Sequence, residues 1–341
     1  MKKYILILLL GTVYFLACRE DQYTTVDTLV DLGYLDEWPE TFYHPENLLS
    51  EARIELGRHL FYDKRLSKAS SLSCSSCHLQ SHAFSDTISI SPGVQGRFGF
   101  RNAPSLMNLS FVDRAHKDGG VQSIDLQAIT PIEDHVEMDL SLIHAVQRIK
   151  QDSLYQELAQ KGYQRGIDNY TVIFSLGNFV KSLASMDSKY DAVQKEEATF
   201  TSLEEKGWAL FKQNCSTCHL PPWFAKLDYV NNGSKMDYSD DLGRMRVTGD
   251  SLDMGLFRIP SLRNIALTYP YMHDGSFKTL DDVLSHYAKG GQPHFNRDKR
   301  VAAIQLSEEE QEALKAFLLT LTDTSIAHNP NFSNPKDDLI Q

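Results

Sequence analysis

Apolar side chains recur along most of this chain at helical spacing. Between residues 170 and 183 they fall at Val172, Ile173, Leu176, Phe179, Val180 and Leu183, one face of a 3.6-residue repeat. Leu314, Phe317, Leu318 and Leu321 draw the same stripe near the C-terminus. Its start is marked by Ser307 followed by Glu308, Glu309 and Glu310, and Ser307 to Glu310 has capping-box spacing. No region alternates apolar and polar positions over several neighbouring segments, so an all-α fold is expected. Two stretches break the pattern. Residues 4–17 are an almost unbroken apolar run, and 19–45 carry no sustained period.

A long-period repeat organises the rest. Gly57, Leu60 and Phe61 recur as Gly207, Leu210 and Phe211. Pro104-Ser105-Leu106 recurs as Pro260-Ser261-Leu262, with Asn108 matched by Asn264 and Asp118-Gly119 by Asp274-Gly275. Such a period means one domain duplicated rather than a solenoid. The expected layout is a signal at 1–17, a tether and lead-in segment at 18–45, two related domains at 46–195 and 196–325, and a loosely packed tail at 326–341. The charged Lys195-Glu196-Glu197 serves as the linker.

The apolar run follows Lys2 and Lys3, the layout of a secretory signal too short to span a bilayer comfortably. It ends in Phe15-Leu16-Ala17-Cys18, which resembles a bacterial lipobox despite Phe at its first position. Lipidation of Cys18, export and a membrane-anchored, periplasm-facing or surface location are therefore expected. Arg19 after the cysteine favours the outer membrane. The formal charge is −11; without residues 1–17, 32 basic face 45 acidic residues, or −13. That balance argues against nucleic acid and is compatible with a small cationic redox partner.

Besides Cys18, the cysteines are Cys74, Cys77, Cys215 and Cys218. They form Cys74-Ser75-Ser76-Cys77-His78 and Cys215-Ser216-Thr217-Cys218-His219, both C-x-x-C-H. Two thiols three residues apart can each add to a vinyl group of one haem, and the adjacent imidazole then binds its iron. The competing reading is one four-cysteine zinc site or two redox-active pairs. Histidine after both pairs by chance is about a one-in-a-thousand event, so two covalent haems c are expected. Sixth-ligand candidates include His82, His116, His135, His273, His286 and His294.

Taken in order, these motifs resemble the bacterial di-haem cytochrome c peroxidase and MauG superfamily over residues 47–322. The series runs from Leu56-Gly57-Arg58-His59-Leu60-Phe61-Tyr62-Asp63 through Arg101-Asn102-Ala103-Pro104-Ser105, Pro131 and Glu137-Met138 to Pro260-Ser261-Leu262-Arg263-Asn264 and Tyr271-Met272-His273-Asp274-Gly275. The resemblance implies two tandem class I cytochrome c-like domains, with haem and calcium sites near their interface. Peroxide would react at the His78 haem, and the His219 haem would receive or store electrons. It also implies an acid/base role for Glu137, a distal Gln at Gln127, and calcium held by the Asn102 side chain and the carbonyls of Thr268 and Pro270.

Three positions depart from that pattern. A blocking His of the reductively activated members is replaced by Val94, so the His78 haem is expected to be open as isolated, although His82 lies nearby in sequence. The axial Met of the second haem is replaced by Tyr287, as in MauG-type enzymes, with Met272 as the alternative ligand. A Trp between the haems is replaced by Lys117, and Trp38, Trp208 and Trp223 have no matching context. The leading expectation is a peroxidase reducing hydrogen peroxide with electrons from a small cytochrome c or cupredoxin. A MauG-like oxidase acting on a protein partner and a non-catalytic di-haem electron carrier are the alternatives. Relatives are often homodimers.

Overall fold

The computed structural model describes residues 27–302 and 304–336; the expected signal and Cys18 lie outside them. Among the described residues no helix is long and apolar enough to cross a membrane. The first half contains α1 (Glu51–Phe61), α2 (Ile129–Glu133), α3 (Leu142–Ile149), α4 (Ser153–Tyr163) and α5 (Asn169–Ser182). It is followed by α6 (Lys189–Gln194), α7 (Ser202–Asn214), β1 (Tyr229–Val230), α8 (Met245–Thr248), β2 (Phe257–Arg258), α9 (Leu280–Ala288), α10 (Lys299–Ala302) and α11 (Glu308–Leu319). β1 and β2 make one short antiparallel ladder, Tyr229 opposite Arg258. The all-α expectation holds, with long loops between the helices.

The periodic segments become the load of each core. α5 starts at Asp168, whose carboxylate accepts from Thr171 N–H at 2.9 Å, and buries Val172, Ile173, Leu176 and Phe179. α11 starts at Ser307 in the expected capping box and buries Leu314, Phe317 and Leu318. Each pairs with the helix that leads to a C-x-x-C-H. α1 crosses α5 at Gly57, where a Cβ would stand 2.0 Å from Ser175 O. α7 crosses α11 at Gly207, where a Cβ would stand 2.0 Å from Ala313 O. Only glycine permits backbones this close, which explains why this residue recurs in both copies.

The repeat extends to single hydrogen bonds. Ser105 Oγ donates to Ala83 O and Ser261 Oγ to Trp223 O, both at 2.6 Å. Asn108 and Asn264 both take the left-handed conformation, φ 56° and 61°. Their side-chain oxygens accept from Ser185 N–H and Asp323 N–H, each at 2.8 Å, tying each loop to the chain beyond its last helix.

Packing departs from the expected layout in three places. Tyr190 of α6 belongs to the second core, with Phe211, Phe224 and Phe317, although it precedes the expected boundary. The segment after 325 does not pack loosely. Ile326 and Phe332 enter the first core, Gln80 Nε2 donates to Ile326 O at 2.8 Å, and Tyr62 OH donates to Phe332 O at 2.7 Å. Its apolar residues are too scattered to show a period, yet Phe332 packs edge-on against Phe84 with ring centroids 6.2 Å apart. The lead-in from residue 27 is likewise packed: Leu29 bridges Ser50, and Trp38 stacks on Phe111 at 5.2 Å with the Arg263 guanidinium 4.5 Å from its ring. The domains meet over Phe111, Ile124 and Trp223 and through Arg101, which pairs with Asp118 at 2.6 Å and Asp241 at 2.7 Å.

Candidate haem sites

Each C-x-x-C-H follows a helix or turn that enters its own core. Cys74 packs against the first core and Cys215 against the second, so the four thiols cannot share one zinc. Among the described residues no three His, Cys, Asp or Glu side chains converge as a metal site. Burial pushes Cys74 and Cys215 up to about 12 and Cys77 to about 11. A redox-active pair needs the opposite shift.

The two imidazoles are oriented alike. His78 Nδ1 donates to Phe84 O at 2.9 Å, and His219 Nδ1 donates to Phe224 O and Pro260 O, both at 3.2 Å. A carbonyl only accepts, so the proton sits on Nδ1 and leaves the Nε2 lone pair free for iron. Burial lowers both affinities for a second proton, that of His219 to about 4. A cavity of about 480 Å³ opens beside His219, lined by Cys215, Cys218, Leu262, Leu284 and Leu314. Two thiols, an imidazole and aliphatic walls are the donor set and surroundings that a covalent haem requires.

The alternatives for the second haem's far side stand together. Met272 and Tyr287 both line this cavity, and one amide touches both: Asn232 Nδ2 donates to Met272 Sδ at 3.3 Å and to Tyr287 OH at 3.4 Å. Burial raises the Tyr287 pKa, with the Asn232 hydrogen bond acting against it. Asn232 was missed by sequence reasoning; an Asn-Gly pair announces a turn and nothing of this contact.

On the first side, Glu137 is held by its neighbours' backbone. Val94 N–H donates to Glu137 O at 2.7 Å, Glu137 N–H to Asp134 O at 3.0 Å, and Met138 N–H to Pro131 O at 3.0 Å. Gly93 lies so close beneath that its Cβ would be 1.9 Å from Val136 O. Asp139 pins the turn through Arg97 at 2.5 Å and Lys68 at 2.8 Å. Val94 is thus buried structure beneath Glu137. Glu137 is exposed at its surface, yet its pKa is raised to about 7, by desolvation from the surrounding protein first and by the Asp134 charge second. The same charge opposes ionisation of Cys74 and Cys77, so Glu137 lies near the two thiols of the first C-x-x-C-H.

Gln127 leaves its Oε1 buried with no hydrogen-bond partner. A buried acceptor without a partner marks a site for a ligand or bound water. His82 packs edge-on against Tyr269 at 5.9 Å, with Nδ1 3.0 Å from Ser81 Oγ. His135 is largely exposed, and His286 Nε2 contacts Asn232 O at 3.0 Å. Asn102, Thr268 and Pro270 all line the large cavity. Asn102 Nδ2 donates to Ile88 O at 3.0 Å, leaving Oδ1 available, and its N–H donates to His273 O across the seam at 2.9 Å.

Comparison with known proteins agrees with this geometry. Residues 51–199 match the di-haem cytochrome c peroxidase family and 204–322 the cytochrome c family. The methylamine utilization protein MauG of Methylorubrum extorquens is 33% identical over 295 residues, covering 83% of this chain and 82% of that protein. The cytochrome c551 peroxidase of Nitrosomonas europaea is 32% identical over 289 residues, 82% of each. A crystal structure of a MauG-like protein associated with microbial copper homeostasis superposes with a TM-score of 0.84 at 34% identity, covering 90% of this chain and 99% of that one. This chain belongs to the di-haem cytochrome c peroxidase and MauG superfamily, as an oxidoreductase with two cytochrome c-type domains and two haems c.

Proposed function

We propose that this protein reduces hydrogen peroxide to water at the haem held by Cys74, Cys77 and His78. The observation that carries the reading is Glu137, a carboxyl near the Cys74 and Cys77 thiols with a proton affinity near neutrality. Hydrogen peroxide takes two electrons and two protons to give two waters, and one proton must first leave the oxygen that binds. The haem, when bound, supplies the iron at which the oxygen–oxygen bond breaks. Glu137 accepts the first oxygen's proton and delivers it to the second, work for which a pKa near the operating pH is best suited. Gln127 Oε1 would accept a hydrogen bond from the peroxide. A small cytochrome c or cupredoxin would be the electron donor, and Cys215, Cys218 and His219 would hold the haem that takes up its electrons.

We further place Tyr287 as the second haem's far ligand, a calcium ion on Asn102 Oδ1 and the carbonyls of Thr268 and Pro270, and a lipid on Cys18 that keeps the protein on the periplasmic or outer face of a membrane. Oxygen-only donors suit calcium. A MauG-like oxidation of a partner protein is the second reading, and Tyr287 on the cavity wall favours it. The test mixes as-isolated ferric holoprotein with one equivalent of peroxide, followed by EPR and by oxidation of a reduced small cytochrome c. A high-spin signal lost on mixing, with cytochrome turnover, is expected. Two low-spin signals that peroxide leaves unchanged would reduce the protein to an electron carrier. Peroxide consumption without cytochrome turnover would select the partner-oxidising reading.

A further inference from the structure

The seam between the two sites holds a lysine with no carboxylate in ion-pair contact among the described residues. Lys117 belongs to the first domain, yet it lines the cavity of Cys215, Cys218 and His219. Its Nζ donates to two backbone carbonyls of the second domain, Met272 O at 3.4 Å and His273 O at 3.2 Å. Neutral acceptors solvate a buried ammonium only in part, and a buried charge calls for a counter-charge. The nearby carboxylates are committed elsewhere. Asp118 and Asp241 hold Arg101 at 2.6 and 2.7 Å, and Asp274 holds Lys235 at 3.1 Å.

A second cation points the same way. Arg258 donates its N–H to Lys117 O at 2.7 Å, lines the same cavity, and leaves its Nε buried without a partner. Two such cations on one wall define a site for anions. A haem carries two carboxylates besides the vinyl groups that the thiols take up.

We propose that Lys117 and Arg258 together supply the counter-charge for the carboxylates of the haem at Cys215, Cys218 and His219, so that the second site is completed by a residue of the first domain. The inference rests on the two covalent haems and is independent of peroxide chemistry. A cation at this wall favours the reduced iron, whose net charge is one unit less positive, and so raises the midpoint potential. Its effect on the potential would be opposite to that of an anionic Tyr287 ligand. It also couples the domains, since undocking the loop around Lys117 would strip the second haem of one counter-charge.

The experiment is a spectroelectrochemical titration of holoprotein, with the haems distinguished by their EPR signals. Lys117→Met keeps an unbranched stem and removes the charge. At a fixed applied potential the reduced-to-oxidised ratio of the second haem should fall about tenfold, about 59 mV in midpoint for one electron. Lys117→Arg should restore most of it. A lysine that only seals the seam would lower the melting temperature and leave the midpoint unmoved; that outcome overturns the proposal. If Lys117→Met comes without its second haem, Arg258→Gln takes its place, and a fallen or unmoved midpoint is read the same way.

Discussion

Replacing Glu137 with Gln keeps the side chain's shape and removes its ability to take up a proton. With a pKa of about 7, the basic form makes up about a tenth of the protein at pH 6, half at pH 7 and nine tenths at pH 8. The second-order rate of the ferric protein with peroxide should therefore rise about tenfold from pH 6 to 8 and level off above. Loss of the general base costs about 10²–10⁴ in that rate, about 3–5 kcal/mol of barrier, and Gln should also flatten the profile. Stopped-flow mixing at a series of peroxide concentrations and pH values measures both. The reasoning fails if Glu137→Gln keeps the wild-type rate, or if the wild-type midpoint lies near the ordinary value of 4.5. A stability readout goes the other way. The folded protein binds this proton more tightly than the unfolded chain, so Glu137 weakens the fold as pH climbs from about 4.5 through 7. Glu137→Gln should melt no lower than wild type at pH about 8.

Three further outcomes follow from packing. Gly207→Ala forces a methyl to within 2.0 Å of Ala313 O and should cost about 1–3 kcal/mol by overpacking; Gly33→Ala meets nothing within 4 Å, so its cost comes only from its φ of +70°. Chemical denaturation of holoprotein compares them, and equal losses would refute the crossing argument. Arg263→Met leaves Asp191 buried without its two guanidinium contacts at 2.7 and 2.8 Å, a loss of about 3–5 kcal/mol at neutral pH. Arg263 and Ser188 hold the Asp191 pKa below 3.8 against the opposing effect of burial, so the stabilisation is complete above about pH 4 and lost as pH falls through the lowered value. A wild-type advantage undiminished at pH about 2 would contradict that sign. Phe332→Ala removes a nearly buried ring from the first core and should cost about 3 kcal/mol, whereas a loose tail would show no change in the urea midpoint.

Much of this protein is legible from local chemistry. The C-x-x-C-H pairs declare covalent haem because bond formation needs only short-range spacing, and the helices at 169–182 and 308–319 announce themselves by period and cap. The duplication shows through residues that a backbone requires, Gly57 with Gly207 and Asn108 with Asn264, since close approach and positive φ admit few side chains. By composition alone Glu137 is one more carboxylate in an acidic cluster. Its family resemblance singles it out, and its proton affinity follows from desolvation by the folded chain and from the Asp134 charge beside it.

Contacts between distant segments lie beyond any local pattern. Nothing near Ile326 or Phe332 says that the segment crosses back to the first domain, because apolar residues scattered through a polar stretch carry no period. Asn232 meets Tyr287 and Met272 across 55 and 40 residues of chain. In sequence Lys117 is only a missing tryptophan. The tertiary fold takes it across the seam, where burial against carbonyls makes its charge consequential. The chain's own residues thus determine which groups can bond to haem and which helices form, through geometry spanning a turn or two. Desolvation and long-range neighbours decide which carboxyl holds a proton and which cation faces the second site, and those exist only once the domains have packed.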